Sequence, residues 1–281
     1  MQTTVTGYED LLVSIDDKIA TITLNRPDKL NALTEPMTRG LQRALEVLDE
    51  DAGISVIILK GAGRAFCAGY DITPTAGRTA ARASRDIIAD REKLRHTVAR
   101  WLTIWDLRIP VIAQVHGYCL AGGSELALLC DLIVAAQDAQ IGHPAVRSMG
   151  VPPTNIYPYA FGLRKAKQMV LTGDTIDGAR AAELGIVNWS AAADDLDRFT
   201  LEIARRIARI PRDMLTLNKR AVNRAYELMG FRAGVEIGIE YDAMAHFTPP
   251  AVRFWETAER EGLRAALAER DRPFTAEGGG R

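Results

Sequence analysis

The 281-residue sequence predicts an α/β protein, with a mixed core over residues 1–190 and a helical C-terminal region over residues 191–281. Three observations predict it. The runs "ISVIILK", "VIAQVH" and "LIVAA" are short, β-branched and apolar at nearly every position, as strands buried on both faces of a parallel sheet are. Segments of helical period separate them, which is the pattern of crossover connections. After about residue 160, helical periods dominate.

Taken in order, "LLVSIDDKIATITLN" reads as two strands around a turn at Asp16-Asp17. In "TEPMTRGLQRALEVLDED", Met37, Leu41, Leu45 and Leu48 recur at helical spacing, with Thr34 placed to cap the N-terminus. "ISVIILKG" is the first doubly buried strand. Residues 81–107 carry a long helical pattern through Ile87, Leu94, Val98, Trp101 and Trp105, which Pro110 stops. "VIAQVHG" is a second strand, "GSELALLCD" a short helix and "LIVAA" a third strand. Helices are expected at 164–172, 178–184, 195–208, 212–228, 231–245 and 250–269. The tail "EGGGR" has the composition of disordered chain ends.

Bulk properties exclude several classes. Net charge is −1 with no strong basic face, so a nucleic-acid partner is not expected. The N-terminus lacks a basic start followed by an apolar core, and no stretch of 18 apolar residues exists to span a membrane. Cys67, Cys119 and Cys130 are odd in number and match no zinc or CxxC spacing, so reduced thiols in a cytoplasmic protein are expected.

Two of the buried strands run into small-residue loops, "GAGRAFCAGYDI" and "GYCLAGGSE". Ligands of such sheets bind beyond the carboxyl ends of strands, so loops lying side by side would form one site. Gly61, Gly63 and Phe66 do not satisfy G-x-G-x-x-G, and no G-K-[ST] follows, so a phosphate cradle is not supported. In "AGGSELALLCD" a single carboxylate, Glu125, stands in an apolar setting, where it is costly unless paired or protonated. It either caps a helix start or does chemistry.

The stretches "NRPDKLNAL" (25–33), "GAGRAFCAGYDI" (61–72), "GYCLAGGSELALLCD" (117–131) and "LTGDTIDGARAAELGIVN" (171–188), in that order, closely resemble the crotonase superfamily, the enoyl-CoA hydratase/isomerase family. The resemblance covers roughly residues 8–270. It implies a crotonase-like spiral of ββα repeats, a helical C-terminal trimerisation region, a homotrimer or hexamer, and an acyl-CoA thioester as substrate. No cofactor is implied beyond the coenzyme A of that substrate, and no metal. Carried over by position, the backbone N–H groups of Tyr70 and Gly122 polarise the thioester carbonyl, and Glu125 transfers a proton. Lys29 and Leu30 fall in the CoA-binding loop, and Ala68, Gly69, Tyr70, Asp71, Ile72 and Thr73 line the same cleft. The chain departs from the pattern at the second hydratase glutamate, whose place after His143-Pro144 is taken by Ala145. Some isomerases of the family place an acid after a later proline; here Thr154 follows Pro153. His143 and Arg147 are the candidates for a second polar group, beside Ser148, Tyr157 and Tyr159. The last helical segment is expected to cover the acyl pocket through residues such as Phe254, Trp255 and Leu263. Double-bond isomerisation, thioester hydrolysis and C–C cleavage need only one carboxylate, and a non-catalytic acyl-CoA-binding protein is the alternative of another class.

Overall fold

The computed structural model describes residues 3–5, 7–75 and 86–275. The expected helix start at residue 81 and the tail "EGGGR" lie outside the described residues. The first hairpin is β2 (Leu11–Asp16) and β3 (Ile19–Leu24), preceded by β1 (Thr3–Val5). Asp17 takes a left-handed φ of 52° in its turn. Helix α1 (Glu35–Glu50) buries Met37, Leu41, Leu45 and Leu48, and the Thr34 hydroxyl accepts the Met37 N–H at its start.

Three ββα units follow. The long strands β4 (Val56–Gly61), β6 (Val111–Val115) and β8 (Leu132–Ala136) join a seven-stranded sheet of order β1-β2-β3-β4-β6-β8-β11, which is parallel from β3 onward. Each is followed by a three-residue strand, β5 (Ala65–Cys67), β7 (Tyr118–Leu120) or β9 (Gln140–Gly142), in a second sheet of order β10-β9-β7-β5. The last two strands are β10 (Thr175–Asp177) and β11 (Trp189–Ala191). Helices α2 (Ile87–Asp106) and α3 (Gly122–Leu129) follow the first two units. The core is continuous from Val13 and Ile22 through Ile57, Val111 and Val134 to Ile239.

The helical part departs from expectation in two places. Helix α4 (Tyr157–Thr172) begins seven residues before the periodic segment at 164, because Pro158 is tolerated in a first turn, and Gly162 (φ 69°, ψ 166°) kinks it. The expected helix at 250–269 is two helices, α9 (Pro249–Glu261) and α10 (Leu263–Thr275), broken at Gly262 (φ 90°, ψ 156°). Between them and α4 lie α5 (Gly178–Glu183), α6 (Leu196–Ile207), α7 (Arg212–Leu228) and α8 (Phe231–Ala245). Helices follow one another from Leu196 onward, past the last strand. No helix among the described residues is long and apolar enough to cross a membrane.

Candidate functional site

The two small-residue loops do not leave the long strands directly. Each passes first through a short strand, β5 or β7, and these two pair in parallel. That pairing sets the loops side by side. Gly69 (φ 103°) ends one of them, and a Cβ there would lie 3.0 Å from both Ala121 Cβ and Leu120 O and 3.5 Å from Gly122 N. Only a glycine fits both the left-handed φ and the close approach. Gly122 is similarly hemmed in, since a Cβ on it would sit 2.6 Å from the Tyr70 ring.

The loop around Lys29 is zipped onto the first of these. Ala68 N–H donates to Leu30 O, Leu33 N–H to Gly69 O and Asp71 N–H to Leu33 O. This parallel bridge leaves the Tyr70 N–H facing away from Leu33, and no acceptor among the described residues takes it. Buried Asn31 locks the arrangement by donating to Ala62 O and Ala65 O while accepting the Arg26 N–H. Arg26 in turn pairs with Asp71 at 3.1 Å. Burial works against the Asp71 carboxylate, but the Thr73 N–H and Arg26 hold its pKa below the ordinary value. Asp71 therefore fastens the loop, and Lys29 stands exposed at the end of the short 27–29 turn.

Helix α3 begins without a side-chain cap. Its N-cap, Ala121, is held at φ 49° and ψ −123°, a sparsely populated conformation that costs about 1–3 kcal/mol. The first intrahelical bond runs from Glu125 N–H to Ala121 O, so the Gly122 N–H is one of the donors a helix start leaves without an intrahelical acceptor. The helix dipole adds partial positive charge there.

One turn further on, Glu125 is 0% exposed. Its Oε1 accepts both the Thr154 N–H (3.0 Å) and the Thr154 hydroxyl (2.6 Å). Its Oε2 is buried without a partner among the described residues. Burial pushes the carboxyl up to about 8; the two bonds from Thr154 oppose this, and Asp242 adds to it. Glu125 is thus mostly protonated at neutral pH and within reach of ionisation, the condition that suits proton transfer. Behind it runs a polar chain. The Ser124 hydroxyl, with one proton to donate, has Ala121 O (2.7 Å) and Gly142 O (3.0 Å) as acceptors in reach, and the Tyr157 hydroxyl lies 2.6 Å from it and 3.3 Å from His143 Nδ1. Burial lowers the His143 imidazole to about 3, so the ring is neutral. On the other side the Tyr70 hydroxyl accepts the Trp101 indole N–H at 2.8 Å. Burial, then the Glu125 charge, raise the Tyr70 phenol far above its usual range.

The structure therefore brings Tyr70, Gly122 and Glu125 together and does not bring every expected residue to them. His143 makes its ring contacts with Tyr157. Arg147 points elsewhere: it pairs with Asp174 (3.1 Å) and Asp271 (3.2 Å) and lies over the Phe274 ring, which ties α10 to the core. Ile72, Met149, Trp255 and Leu263 pack against the cluster of Phe254, Ala258 and Ala266, so α9 and α10 of the same chain lie against the site loop. In the sequence Thr154 marks only a missing acid; its two bonds to Glu125 come from the fold. Asp242 and its C-cap neighbour His246 stand four residues apart, the spacing at which side chains meet across a helical turn.

The enoyl-CoA hydratase/isomerase family model matches residues 14–260. The probable enoyl-CoA hydratase echA8 of Mycobacterium bovis is 35% identical over 272 residues, covering 95% of this chain and 98% of that protein. The crystal structure of enoyl-CoA hydratase from Mycobacterium smegmatis superposes with a TM-score of 0.90 at 32% identity, over 94% of each chain. That of an enoyl-CoA hydratase/isomerase from Xanthobacter autotrophicus Py2 gives a TM-score of 0.87 at 37% identity, over 95% of this chain and 99% of that one.

Proposed function

The chain belongs to the enoyl-CoA hydratase/isomerase family, and from that premise we propose that it is an enzyme acting on an acyl-CoA thioester through two backbone donors and one carboxyl. The observation that carries this reading is Glu125: fully buried, held on one oxygen by Thr154, its proton affinity raised to about 8, one helical turn from the uncapped Gly122 N–H. The Tyr70 and Gly122 N–H groups take the thioester oxygen as negative charge grows on it. Backbone donors do this without titrating, and losing one typically costs about 3–4 kcal/mol of transition-state stabilisation. Glu125 then takes or returns a proton at a carbon next to the polarised carbonyl. Lys29 and the 68–73 segment hold the coenzyme A portion, no cofactor is needed beyond it, and the protein works in the cytoplasm.

Hydration ordinarily uses two carboxylates, and Ala145 occupies the place of the second. That favours a one-carboxylate reaction as the second reading. Isomerisation of a double bond, in which one base removes a proton and returns it elsewhere, is the simplest; thioester hydrolysis and C–C cleavage are the others. A merely acyl-CoA-binding protein would have no use for a buried carboxyl poised near neutrality.

The test is a turnover screen with mass detection over straight-chain, branched, aromatic and cyclic acyl-CoA thioesters, with binding measured on the same preparation. Binding without turnover of any of them refutes the enzyme reading. If the missing acid limits hydration, wild type hydrates crotonyl-CoA poorly, and Ala145→Glu raises the rate by about 10-fold or more, within the 10²–10⁴ that a placed acid or base supplies at best. Robust hydration by wild type with no gain in the variant refutes the second reading.

A further inference from the structure

Two more carboxyls are buried on the helices next to this site. Asp242 on α8 is 4% exposed and Asp90 on α2 is 1% exposed. His246, just past the end of α8, stands between them, with Nδ1 2.7 Å from Asp90 Oδ2 and Nε2 3.5 Å from Asp242 Oδ1. The same Asp242 oxygen accepts the Val151 N–H at 2.9 Å. The residue before it, Gly150, lies so close to that oxygen that a Cβ has no room. Three residues after Val151, Thr154 delivers its two hydrogen bonds to Glu125 Oε1. Helix α8 also grips the far end of this turn, where Gly238 abuts Pro153 O and Asn155. Buried polar networks of this kind rigidify what they hold.

We propose that Asp242, oriented by His246 and Asp90, is a positioning residue for Glu125: it holds the 150–154 turn that presents Thr154, and its charge bears on the Glu125 carboxyl. This rests on the reading of Glu125 as the proton-transferring group. Ala145 and Thr154 stand where acids are expected, so the second buried carboxylate near this site comes from a helix that follows the core. Its effect is electrostatic. An ionised carboxylate in a low-dielectric neighbourhood opposes the ionisation of another, and Asp242 is one of the groups that raise the affinity of Glu125 for its proton. Its charge acts in the same sense on the Tyr70 phenol. His246 is hydrogen-bonded to Asp90 through Nδ1 and faces Asp242 with Nε2 at 3.5 Å, so its imidazolium form places positive charge between the two carboxylates. His246 then offsets part of the charge on Asp242. Among the described residues the α2–α8 seam also carries Arg91 with Glu92, Glu236 and Glu240, and Arg95 with Glu236, two cations facing three carboxylates at the surface.

The test is pH-difference infrared spectroscopy on the full chain with isotope-labelled glutamate carboxyls, the Glu125 band being the one that Glu125→Gln removes. Turnover of crotonyl-CoA is followed across the same pH range. In wild type the protonated band fades around pH 8. Asp242→Asn, which can still accept the Val151 N–H, is expected to lower that midpoint by about one pH unit, the low end of what a neighbouring charge does. His246→Gln is expected to move it the opposite way, and any crotonyl-CoA turnover follows each midpoint. Mere loosening of the turn admits water and moves both variants downward, so a shift in the same direction overturns the proposal, as does no shift in a folded Asp242→Asn. If Asp242→Asn does not fold, the His246→Gln midpoint decides alone: upward supports the proposal, unmoved or downward overturns it. Opposite shifts in a protein that turns over no acyl-CoA support the coupling and overturn the enzyme reading instead.

Discussion

At Glu125 a carboxyl sits where elementary electrostatics disfavours its charge, and the fold does little to relieve it. Thr154 supplies two donors to one oxygen, while the other oxygen is left to the low-dielectric interior. Two outcomes follow from the substitution Glu125→Gln, which keeps an acceptor for Thr154. The first is kinetic: kcat on the true substrate falls by roughly 10²–10⁴ while acyl-CoA binding persists. An unchanged kcat removes Glu125 from the chemistry. The second is thermodynamic. The pKa of Glu125 is about 8 in the folded protein against 4.5 when unperturbed. Between those values the folded chain keeps a proton that the unfolded chain releases. Glu125 therefore contributes stability that is fully present below about pH 4.5 and is lost as the pH rises to about 8. Relative to wild type, Glu125→Gln should gain in melting temperature steadily from pH 5 to pH 8; parallel curves would exclude the raised pKa. The glutamate and its small-residue neighbours were legible in sequence because apolar flanks make a lone acid conspicuous. Its partner was not, because Thr154 is ordinary in its own segment and reaches Glu125 only through the fold.

The same division between local and long-range information holds for elements. Long strands such as β4 and β6 and amphipathic helices such as α1 announce themselves by periodicity and caps. The three-residue strands β5, β7, β9, β10 and β11 are too short to show a period, yet β5 and β7 are what set the two site loops side by side. Likewise, Gly262 inside an apolar pattern reads as continuous helix until its φ of 90° breaks α9 from α10. Element docking also depends on buried charge that no local pattern betrays. Lys219 of α7 is buried and donates to Ile104 O, Ile109 O and Asp131 Oδ2, the last at 2.8 Å. It fastens the helical region to the end of α3 and the start of β6, where Asp131 also accepts the Val111 N–H. Burial raises the Asp131 pKa and Lys219 pulls it back down. Lys219→Met strips the ammonium from this pair and from both carbonyls. It should destabilise the protein by about 3 kcal/mol in urea unfolding, the low end for a broken buried pair because Asp131 keeps some solvent. Adding Asp131→Asn should recover part of the loss, since the uncompensated charge is then gone. A loss below about 0.5 kcal/mol would mean the contact is no more than an exposed ion pair.

For the whole molecule, the helices beyond the core leave more apolar surface uncovered than one chain can use. Leu217, Val222 and Leu228 on α7, and Ile237, Tyr241 and Met244 on α8, are all exposed, although α8 buries Phe231, Val235 and Ile239 on its other side. Single exposed apolar side chains are ordinary. Six of them on two consecutive helices, one of which buries only Leu215 and Lys219, are what an association surface presents. Closed cyclic assembly is the usual way for identical chains to bury such a surface. The family resemblance implies a homotrimer or hexamer assembled through the region after about residue 190, and these exposed side chains lead us to expect α7 and α8 in the contact. Sedimentation at micromolar concentration should give three or six chains, and a stable monomer there would reject the assembly. A double substitution, Leu217→Glu with Leu228→Glu, locates the contact. Both residues face solvent in the single chain, so the fold by circular dichroism should survive while the mass falls toward that of one chain. An assembly that keeps its mass with both charges in place would put the contact on another face and leave the exposed side of α7 without a role.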